Sequence, residues 1–174
     1  TPQSGIWQTA WMEHVPEEYI SALRITPDAA HGQVRITVLS DAERECCIVF
    51  QGRRIEGRTN SGIMVSVDAP ELWSPESPKL YEFSAELGAD KVDSYFALRD
   101  VGVGKDEKGR PCLMLNGRPY FHSGVLDQGY WPDGLYTAPS DAALIYDIEL
   151  MKSMGFNMLR KHIKIEPMRW YAPP

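Results

Sequence analysis

Between Tyr19 and Arg99 apolar and polar residues alternate with a period of two, in short runs that end at Gly, Pro, Asn or Asp. Alternation at this spacing predicts an antiparallel sandwich of about six or seven strands, close to an immunoglobulin-like domain. The apolar positions of these β-prone runs are Val34, Ile36 and Val38; Cys47, Val49 and Phe50; Ile63, Val65 and Val67; Tyr81, Phe83, Ala85 and Leu87; and Val92, Phe96 and Leu98.

Beyond residue 103 the pattern changes from short alternating strands to a strand, a helix and a second strand. Asn116-Gly117 predicts a tight hairpin turn. Ser140 is a suitable N-cap, and Leu144, Ile148 and Met151 then recur at helical spacing up to Gly155, a suitable C-terminal stop. The run from residue 156 to 165 has strand character again.

A strand, a helix and a parallel strand form a βαβ unit, which cannot cover both faces of its sheet alone. We therefore expect a mainly β fold: an immunoglobulin-like antiparallel β-sandwich followed by an incomplete (β/α)8 barrel fragment with one βαβ unit. The expected division is 1–16 for the end of a preceding domain or linker, 17–103 for the sandwich and 104–174 for the barrel part.

Composition narrows the classes of partner. A net charge of −6 argues against nucleic acid, whose binding depends on clustered Lys and Arg. No apolar run approaches the roughly 20 residues that span a bilayer, so we expect no membrane partner. The three cysteines match no zinc spacing, and we expect neither a metal nor a cofactor.

The long loop from Leu126 to Pro139 is the first candidate for chemistry. Barrel enzymes bind substrate on the loops that follow the strands, and this loop is longer than the usual two to six or so residues. It carries Asp127 and Trp131 among further aromatic and polar side chains, a combination that suits a sugar. The alternative is a loop that only caps the barrel or contacts a neighbouring domain.

The second candidate is the strand after the helix. Arg160, His162 and Lys164 have a period of two, so we expect all three to project the same way. Three such groups in an apolar core would be costly unless paired or facing a polar cavity. The alternative is an exposed face of an edge strand. Glu166 lies at or just past the strand end, where it could pair with Lys164 or Arg169.

Four segments, in this order, resemble glycoside hydrolase family 2, which includes β-galactosidases, β-glucuronidases and β-mannosidases. SGIWQTAWME resembles the end of the family's N-terminal sugar-binding jelly roll, and LWSPESPKLYEF a marked stretch of its immunoglobulin-like domain. LNGRPYFHSGV resembles the passage into the first barrel strand. GFNMLRKHIKIEP resembles the second barrel strand.

The resemblance implies a retaining mechanism in which two glutamates, an acid/base and a nucleophile, lie about 5–5.5 Å apart. In the family these come from later barrel strands, so we expect a fragment of an exo-acting glycosidase that is inactive alone. From the resemblance we expect a periplasmic or secreted bacterial enzyme. The implied partners are a carbohydrate substrate, the remaining domains of the parent enzyme and, as an option, further copies in a homo-oligomer.

The resemblance also implies substrate-binding residues. Arg160 matches the family's second-strand arginine, and Asn157 matches the asparagine before it. His162 follows that arginine by two residues, where the galactosidase and glucuronidase branches have three, so its strand face differs. Asp127 and Trp131 occupy the first-loop region. The competing hypothesis is a non-catalytic β-sandwich that binds carbohydrate or joins domains.

Overall fold

A computed structural model describes residues 4–171, which divide into two compact units: residues 13–120, and residues 4–12 together with 121–171. Positions 1–3 of the expected segment 1–16 and positions 172–174 of the expected barrel part lie outside the described residues. Among the described residues, no helix is long and apolar enough to cross a membrane.

Seven strands of the first unit form two antiparallel sheets that enclose an apolar core. The three-stranded sheet has the order β1-β2-β5 and the four-stranded sheet β4-β3-β6-β7. The bounds are β1 Ala22–Asp28, β2 Gln33–Leu39, β3 Glu45–Phe50, β4 Arg53–Arg58, β5 Gly62–Ser66, β6 Tyr81–Leu87 and β7 Asp90–Phe96.

The apolar residues that alternate with polar residues in the sequence are the buried residues of the strands. One cluster buries Val34, Ile36 and Val38 of β2, Ile63 and Val65 of β5, and Tyr81, Phe83, Ala85 and Leu87 of β6. In β3 the residues that contribute to this cluster are Cys46, Ile48 and Phe50. Both sheets supply the cluster, so the predicted antiparallel β-sandwich is confirmed.

A third antiparallel sheet in this unit is built from a hairpin and a short return strand. It has the order β10-β9-β8, with β8 Val101–Lys105, β9 Pro111–Leu115 and β10 Arg118–Pro119. Asn116 and Gly117 have φ values of 51° and 74°, so the predicted tight turn is confirmed. The expected boundary between residues 103 and 104 falls within β8.

The other unit contains one parallel βαβ arrangement. β11, Gly124–Asp127, pairs in parallel with β12, Met158–Lys161, and α1, Asp141–Ser153, connects them. The Ser140 side chain accepts a hydrogen bond from Ala143 N. A short helix, α2 Met168–Tyr171, follows β12.

Helix α1 ends at the predicted position, just before Gly155. Gly155 has a φ of 87°, Gly155 N donates to Lys152 O at 3.0 Å, and Phe156 N donates to Met151 O at 3.1 Å. This pair of bonds is a Schellman motif, which releases the chain from the helix into β12.

Candidate functional site

The C-terminal ends of the two parallel strands carry opposite charges. The strand register places Asp127 of β11 beside Lys161 of β12. Their carboxylate and ammonium lie 2.7 Å apart, and the side chains are 20% and 10% exposed. Because both groups are largely withdrawn from water, each depends on the other for charge compensation.

A second carboxylate joins this pair from the chain that follows β12. Glu166 Oε1 lies 2.7 Å from Lys161 Nζ and 3.1 Å from Lys164 Nζ, and the side chains of Glu166 and Lys164 are each only 2% exposed. This oxygen makes no hydrogen bond within the described part of the chain, so its contacts with the two ammonium groups are ion pairs. We call Asp127, Lys161, Lys164 and Glu166 the charge cluster; its two positive and two negative groups balance.

The charge cluster fixes the beginning of the long loop at Gly129. Asp127 Oδ1 accepts a hydrogen bond from Gly129 N at 2.7 Å, and Lys164 Nζ donates to Gly129 O at 2.6 Å. Gly129 has a φ of +57°, and a Cβ there would lie 2.2 Å from Glu166 Oε1. Only glycine leaves room for the buried carboxylate and accepts this backbone conformation without strain.

Aromatic rings cover Lys164. Its ammonium lies 5.2 Å from the ring centre of Trp7 and 5.5 Å from that of Tyr136, distances at which a cation is attracted to a ring face. Trp7 and Tyr136 are themselves 5.9 Å apart, and Tyr130 meets Tyr136 at 5.8 Å. We call Trp7, Tyr130 and Tyr136 the aromatic group.

Trp7 belongs to the N-terminal segment, residues 4–12, which two hydrogen bonds attach to the site. Thr137 Oγ1 donates to Trp7 O at 3.0 Å, and Gln8 Nε2 donates to Ile165 O at 3.2 Å. These bonds tie the segment to the loop and to the chain after β12. Trp7 is therefore part of the candidate site although it lies far from the loop in sequence.

The predicted substrate-binding residues separate into two groups. Asp127 and His162 lie together at the C-terminal strand ends: His162 N donates to Asp127 O at 2.9 Å, and Gln128 Nε2 lies 3.0 Å from His162 Nδ1. Trp131 lies in the same loop, which Trp131 and Leu135 close by pairing their backbones. The buried indole N–H of Trp131 makes no hydrogen bond within the described part of the chain.

Asn157 lies at the opposite end of the strand pair. Its Oδ1 accepts from Ser123 N at 2.8 Å, and its Nδ2 donates to Phe121 O at 2.9 Å. Both polar ends of the side chain thus hold the approach to β11 beside the start of β12. This geometry is that of a structural bracket between the strands.

The expectation that Arg160, His162 and Lys164 project the same way is wrong. β12 ends at Lys161, and Ile163 takes a left-handed φ of 55°, which interrupts the alternation of a strand. Arg160 is exposed, His162 is half-buried and Lys164 is buried. The buried pairing of Glu166 with Lys164 is present, whereas Arg169 pairs with Asp141 at 2.9 Å.

Lys161, Gly129 and Trp7 are the components that sequence reasoning did not identify. The one usable signal was charge: an acidic residue ends β11 and a basic residue ends β12, and parallel strands bring such ends together. No periodic pattern identifies Trp7 or Gly129. Within residues 4–171 no three His, Cys, Asp or Glu side chains are grouped as a metal site.

A depression of about 510 Å³ opens elsewhere, on the four-stranded sheet, beside Ser84, Asp93 and Tyr95. Ser84 Oγ already donates to Asp93 at 2.6 Å, and this surface holds no buried charged pair. The strand ends, with their buried charges and aromatic rings, are the stronger candidate for a functional site. Burial of charged groups costs free energy, and such groups are concentrated at functional sites.

Known proteins resemble this chain over nearly its whole length. Beta-galactosidase 2 of Enterobacter cloacae is 27% identical over 196 residues, covering 97% of this chain and 19% of that enzyme. A beta-galactosidase of Vibrio cholerae is 32% identical over 161 residues, covering 85% of this chain and 15% of the relative. The chain thus spans about a fifth or less of the length of these curated relatives.

Solved structures share its fold. A beta-glucuronidase of Faecalibacterium prausnitzii superimposes with a TM-score of 0.73 at 22% identity, covering 90% of this chain and 26% of that one. A beta-glucuronidase of Ruminococcus gnavus in complex with D-glucaro-d-lactam gives a TM-score of 0.74 at 17% identity, over 90% of this chain and 28% of that one.

The family model described as glycosyl hydrolases family 2 matches residues 18–99, the range that includes the seven strands of the sandwich. The order of segments in the sequence, the relatives and the fold agree with this match. Residues 18–99 of the chain thus belong to glycosyl hydrolase family 2.

Proposed function

We propose that this chain is part of a retaining, exo-acting glycosidase that hydrolyses O-glycosyl bonds, and that it supplies one side of the sugar pocket. The observation that carries the proposal is the C-terminal edge of β11 and β12, where the charge cluster and the aromatic group lie together. In a parallel barrel this edge is where substrate binds. Aromatic faces cover the C–H surface of a sugar while polar groups bind its hydroxyls.

In this proposal β11, α1 and β12 form the first βαβ unit of a (β/α)8 barrel, and the sandwich before it is immunoglobulin-like. Its strand order supports the second point, because each sheet joins strands that are distant in sequence. Tyr81 supports it further: its hydroxyl accepts from Glu71 N at 2.7 Å and donates to Glu71 O at 3.2 Å. A tyrosine at the start of a strand that bonds back to the preceding corner is a hallmark of such domains.

The two catalytic glutamates come, in this proposal, from outside this chain. A general acid must reach the glycosidic oxygen, and its partner carboxylate must reach the anomeric carbon. Glu166 is enclosed at 2% exposure, which denies substrate such access. Asp127 is engaged by Lys161 and by Gly129 N. The chain alone is therefore expected to bind sugar weakly and not to hydrolyse it.

Asp127, His162 and Trp131 are the proposed substrate contacts from this chain. Asp127 and His162 offer hydrogen-bonding groups at the strand ends, and Trp131 offers its partly exposed ring as an apolar surface. Arg160 is a proposed contact to the remaining barrel or to substrate from its exposed position. Asn157 supports these residues by holding the strands in register.

The test is hydrolysis of aryl glycosides by the full-length protein, with galactosides and glucuronides first because the relatives carry those names. The expected result is release of the aryl group with retention at the anomeric carbon, detected by NMR of the first product. The 174-residue chain is the matched control and should give no turnover. Inversion, or a full-length protein inactive on every glycoside, would contradict the proposal.

A non-catalytic sandwich that binds carbohydrate or joins domains is the second candidate. The observation that favours it is the family match itself, since residues 18–99 are the sandwich and carry none of the charge cluster. Calorimetric titration of the full-length protein separates the two. Heat of binding without turnover would support the second candidate, and turnover would support the first.

A further inference from the structure

Lys164 combines features that an ordinary surface lysine does not have. Its side chain is 2% exposed, and its ammonium contacts four different groups within the same unit: Glu166 at 3.1 Å, Gly129 O at 2.6 Å, and the rings of Trp7 and Tyr136. Withdrawing an ammonium from water is costly unless each of its partners is in place. The residue therefore constrains the position of every group it touches.

These partners come from three separate stretches of the chain. Gly129 and Tyr136 lie at the two ends of the long loop, Trp7 lies in the N-terminal segment, and Glu166 follows β12. The N-terminal segment contains no helix or strand within residues 4–12, and the loop is neither helix nor strand over most of its length. The backbone pairing of the loop is limited to the bridge between Trp131 and Leu135, so a buried cation between the rings of Trp7 and Tyr136 has the greater influence on their spacing.

We propose that Lys164 is a positioning residue: its buried ammonium holds the rings of Trp7 and Tyr136 at a fixed spacing, and these rings form the surface against which the sugar packs. The inference rests on the proposed function, because it concerns how that same pocket binds its substrate. Lys164 does not touch substrate in this arrangement, since the rings and the loop cover it. Trp7 becomes a substrate contact.

The chemistry suits a neutral or weakly charged sugar ring. The charge cluster contains as many carboxylates as ammonium groups, so it offers no excess positive charge to a substrate. Stacking on Trp7 and Tyr136 depends on the C–H face of the sugar and on the angle between the rings. A displacement of about 1 Å in such a site can cost up to roughly 100-fold in rate.

The experiment compares Lys164→Met with wild type in the full-length protein, using the aryl glycoside that wild type hydrolyses fastest. We expect KM to rise about tenfold or more while kcat changes less, because binding geometry is lost and the catalytic glutamates are untouched. Lys152→Met, at the exposed end of α1, is the matched control and should leave both constants unchanged.

Lys164→Arg separates positioning from bulk stability. Arginine keeps a cation between the rings and a donor towards Gly129 O, so KM should return to within about threefold of wild type. A purely structural lysine would instead lower the melting temperature and the fraction of active enzyme, and KM would stay at the wild-type value. An unchanged KM in folded Lys164→Met would overturn the inference.

If Lys164→Met does not accumulate as folded protein, Lys164→Met/Glu166→Gln replaces it, because removing both buried charges together avoids an unpaired one. Lys161 and Asp127 stay paired in that variant. The same rise in KM is expected, and a wild-type KM would again overturn the inference. A wild-type protein without activity on any glycoside would refute the proposed function. An active wild type together with a variant whose KM is unchanged would refute this inference alone.

Discussion

The two units are stabilised by different means. The unit of residues 13–120 has an apolar core to which both sheets of the sandwich contribute, with Phe50, Tyr81, Phe83 and Phe96 in contact. In the described part of the other unit, Leu144 is the one apolar residue that is buried, alongside the buried polar residues Lys164 and Glu166. An apolar core tolerates changes in the exact packing of its side chains. Buried charges, in contrast, are stable only when each partner is in place.

That contrast supports the proposed location of the sugar-binding site. A sandwich core needs only the right apolar period, so it makes a scaffold. The interior of the strand-end region consists of charged and aromatic side chains that their contacts hold in defined directions. A binding site requires side chains that are held in this way. The following substitutions break or sharpen this contrast, from the largest expected effect to the smallest.

Phe50→Ala tests the apolar core. Phe50 is fully buried between the sheets, and truncation should lower the free energy of unfolding by about 3–5 kcal/mol. Urea denaturation gives the total, and hydrogen exchange read by mass spectrometry should place the loss in residues 13–120. Met64→Ala, at an exposed position of β5, is the control and should stay within about 0.5 kcal/mol of wild type. Equal effects would contradict the comparison.

Glu166→Gln tests the charge cluster. The amide cannot compensate the ammonium of Lys164, so this variant should lose about 3 kcal/mol, with faster hydrogen exchange in residues 124–171. Glu149→Gln makes the same change at an exposed position of α1 and should be nearly neutral. Should the two variants exchange alike, the cluster contributes nothing to the stability of its unit.

Gly129→Ala tests whether the charge cluster leaves room for a side chain at position 129. The new methyl carbon would lie 2.2 Å from Glu166 Oε1 and 2.9 Å from Lys164 Nζ, on a residue with positive φ. We expect a loss of about 2 kcal/mol or more, the sum of backbone strain and displaced charges. Gly117→Ala is the matched control, because its φ is +74° and its Cβ would meet nothing within 4 Å. It should lose only the strain, about 1 kcal/mol.

Asp147→Asn tests the weakest electrostatic effect around the site. Asp147 is exposed as a whole, but partial desolvation of its carboxyl raises the pKa of that group above 3.8; the negative charge of Asp127 raises the pKa further, and Lys161 opposes both. Between pH 3.8 and the raised pKa the folded chain binds more protons than the unfolded chain, so stability falls as the pH rises through that window.

Asp147→Asn removes this dependence. The free energy of unfolding at pH 7 should therefore rise slightly, by less than about 0.5 kcal/mol for this exposed position. Thermal melts of both proteins from pH 3 to 7 provide the measurement. A melting temperature that falls on substitution at neutral pH would show that the carboxylate stabilises the fold.

Much of the fold could be predicted because its signals are local. The alternation in β2, β5 and β6, the Asn116-Gly117 turn and both ends of α1 depend on residues a few positions apart. β1 and β4 were not singled out. β4 consists of Arg53, Arg54, Ile55, Glu56, Gly57 and Arg58; it lies at a sheet edge, where charged residues prevent further pairing and weaken the apolar signal.

The candidate site was only partly predictable, because its residues are brought together by the fold. Asp127 and His162 were identified from the loop and strand in which they occur, and the fold brings them together. Asn157 was expected near the substrate, yet the strand direction places it at the other end. The direction of Lys164 depends on one left-handed residue, Ile163, which no pattern indicates in a β-branched side chain.

The sequence by itself determined the sandwich, the helix with its caps and the order of elements, since hydrophobic period and turn chemistry act over short distances. Only the tertiary structure decided which charges are buried and paired. The register of β11 and β12 brought Asp127 to Lys161, and the chain beyond β12 carried Lys164 and Glu166 inward. Ion pairing and ring packing act through space, so residues distant in sequence acquire a common function only when the chain has folded.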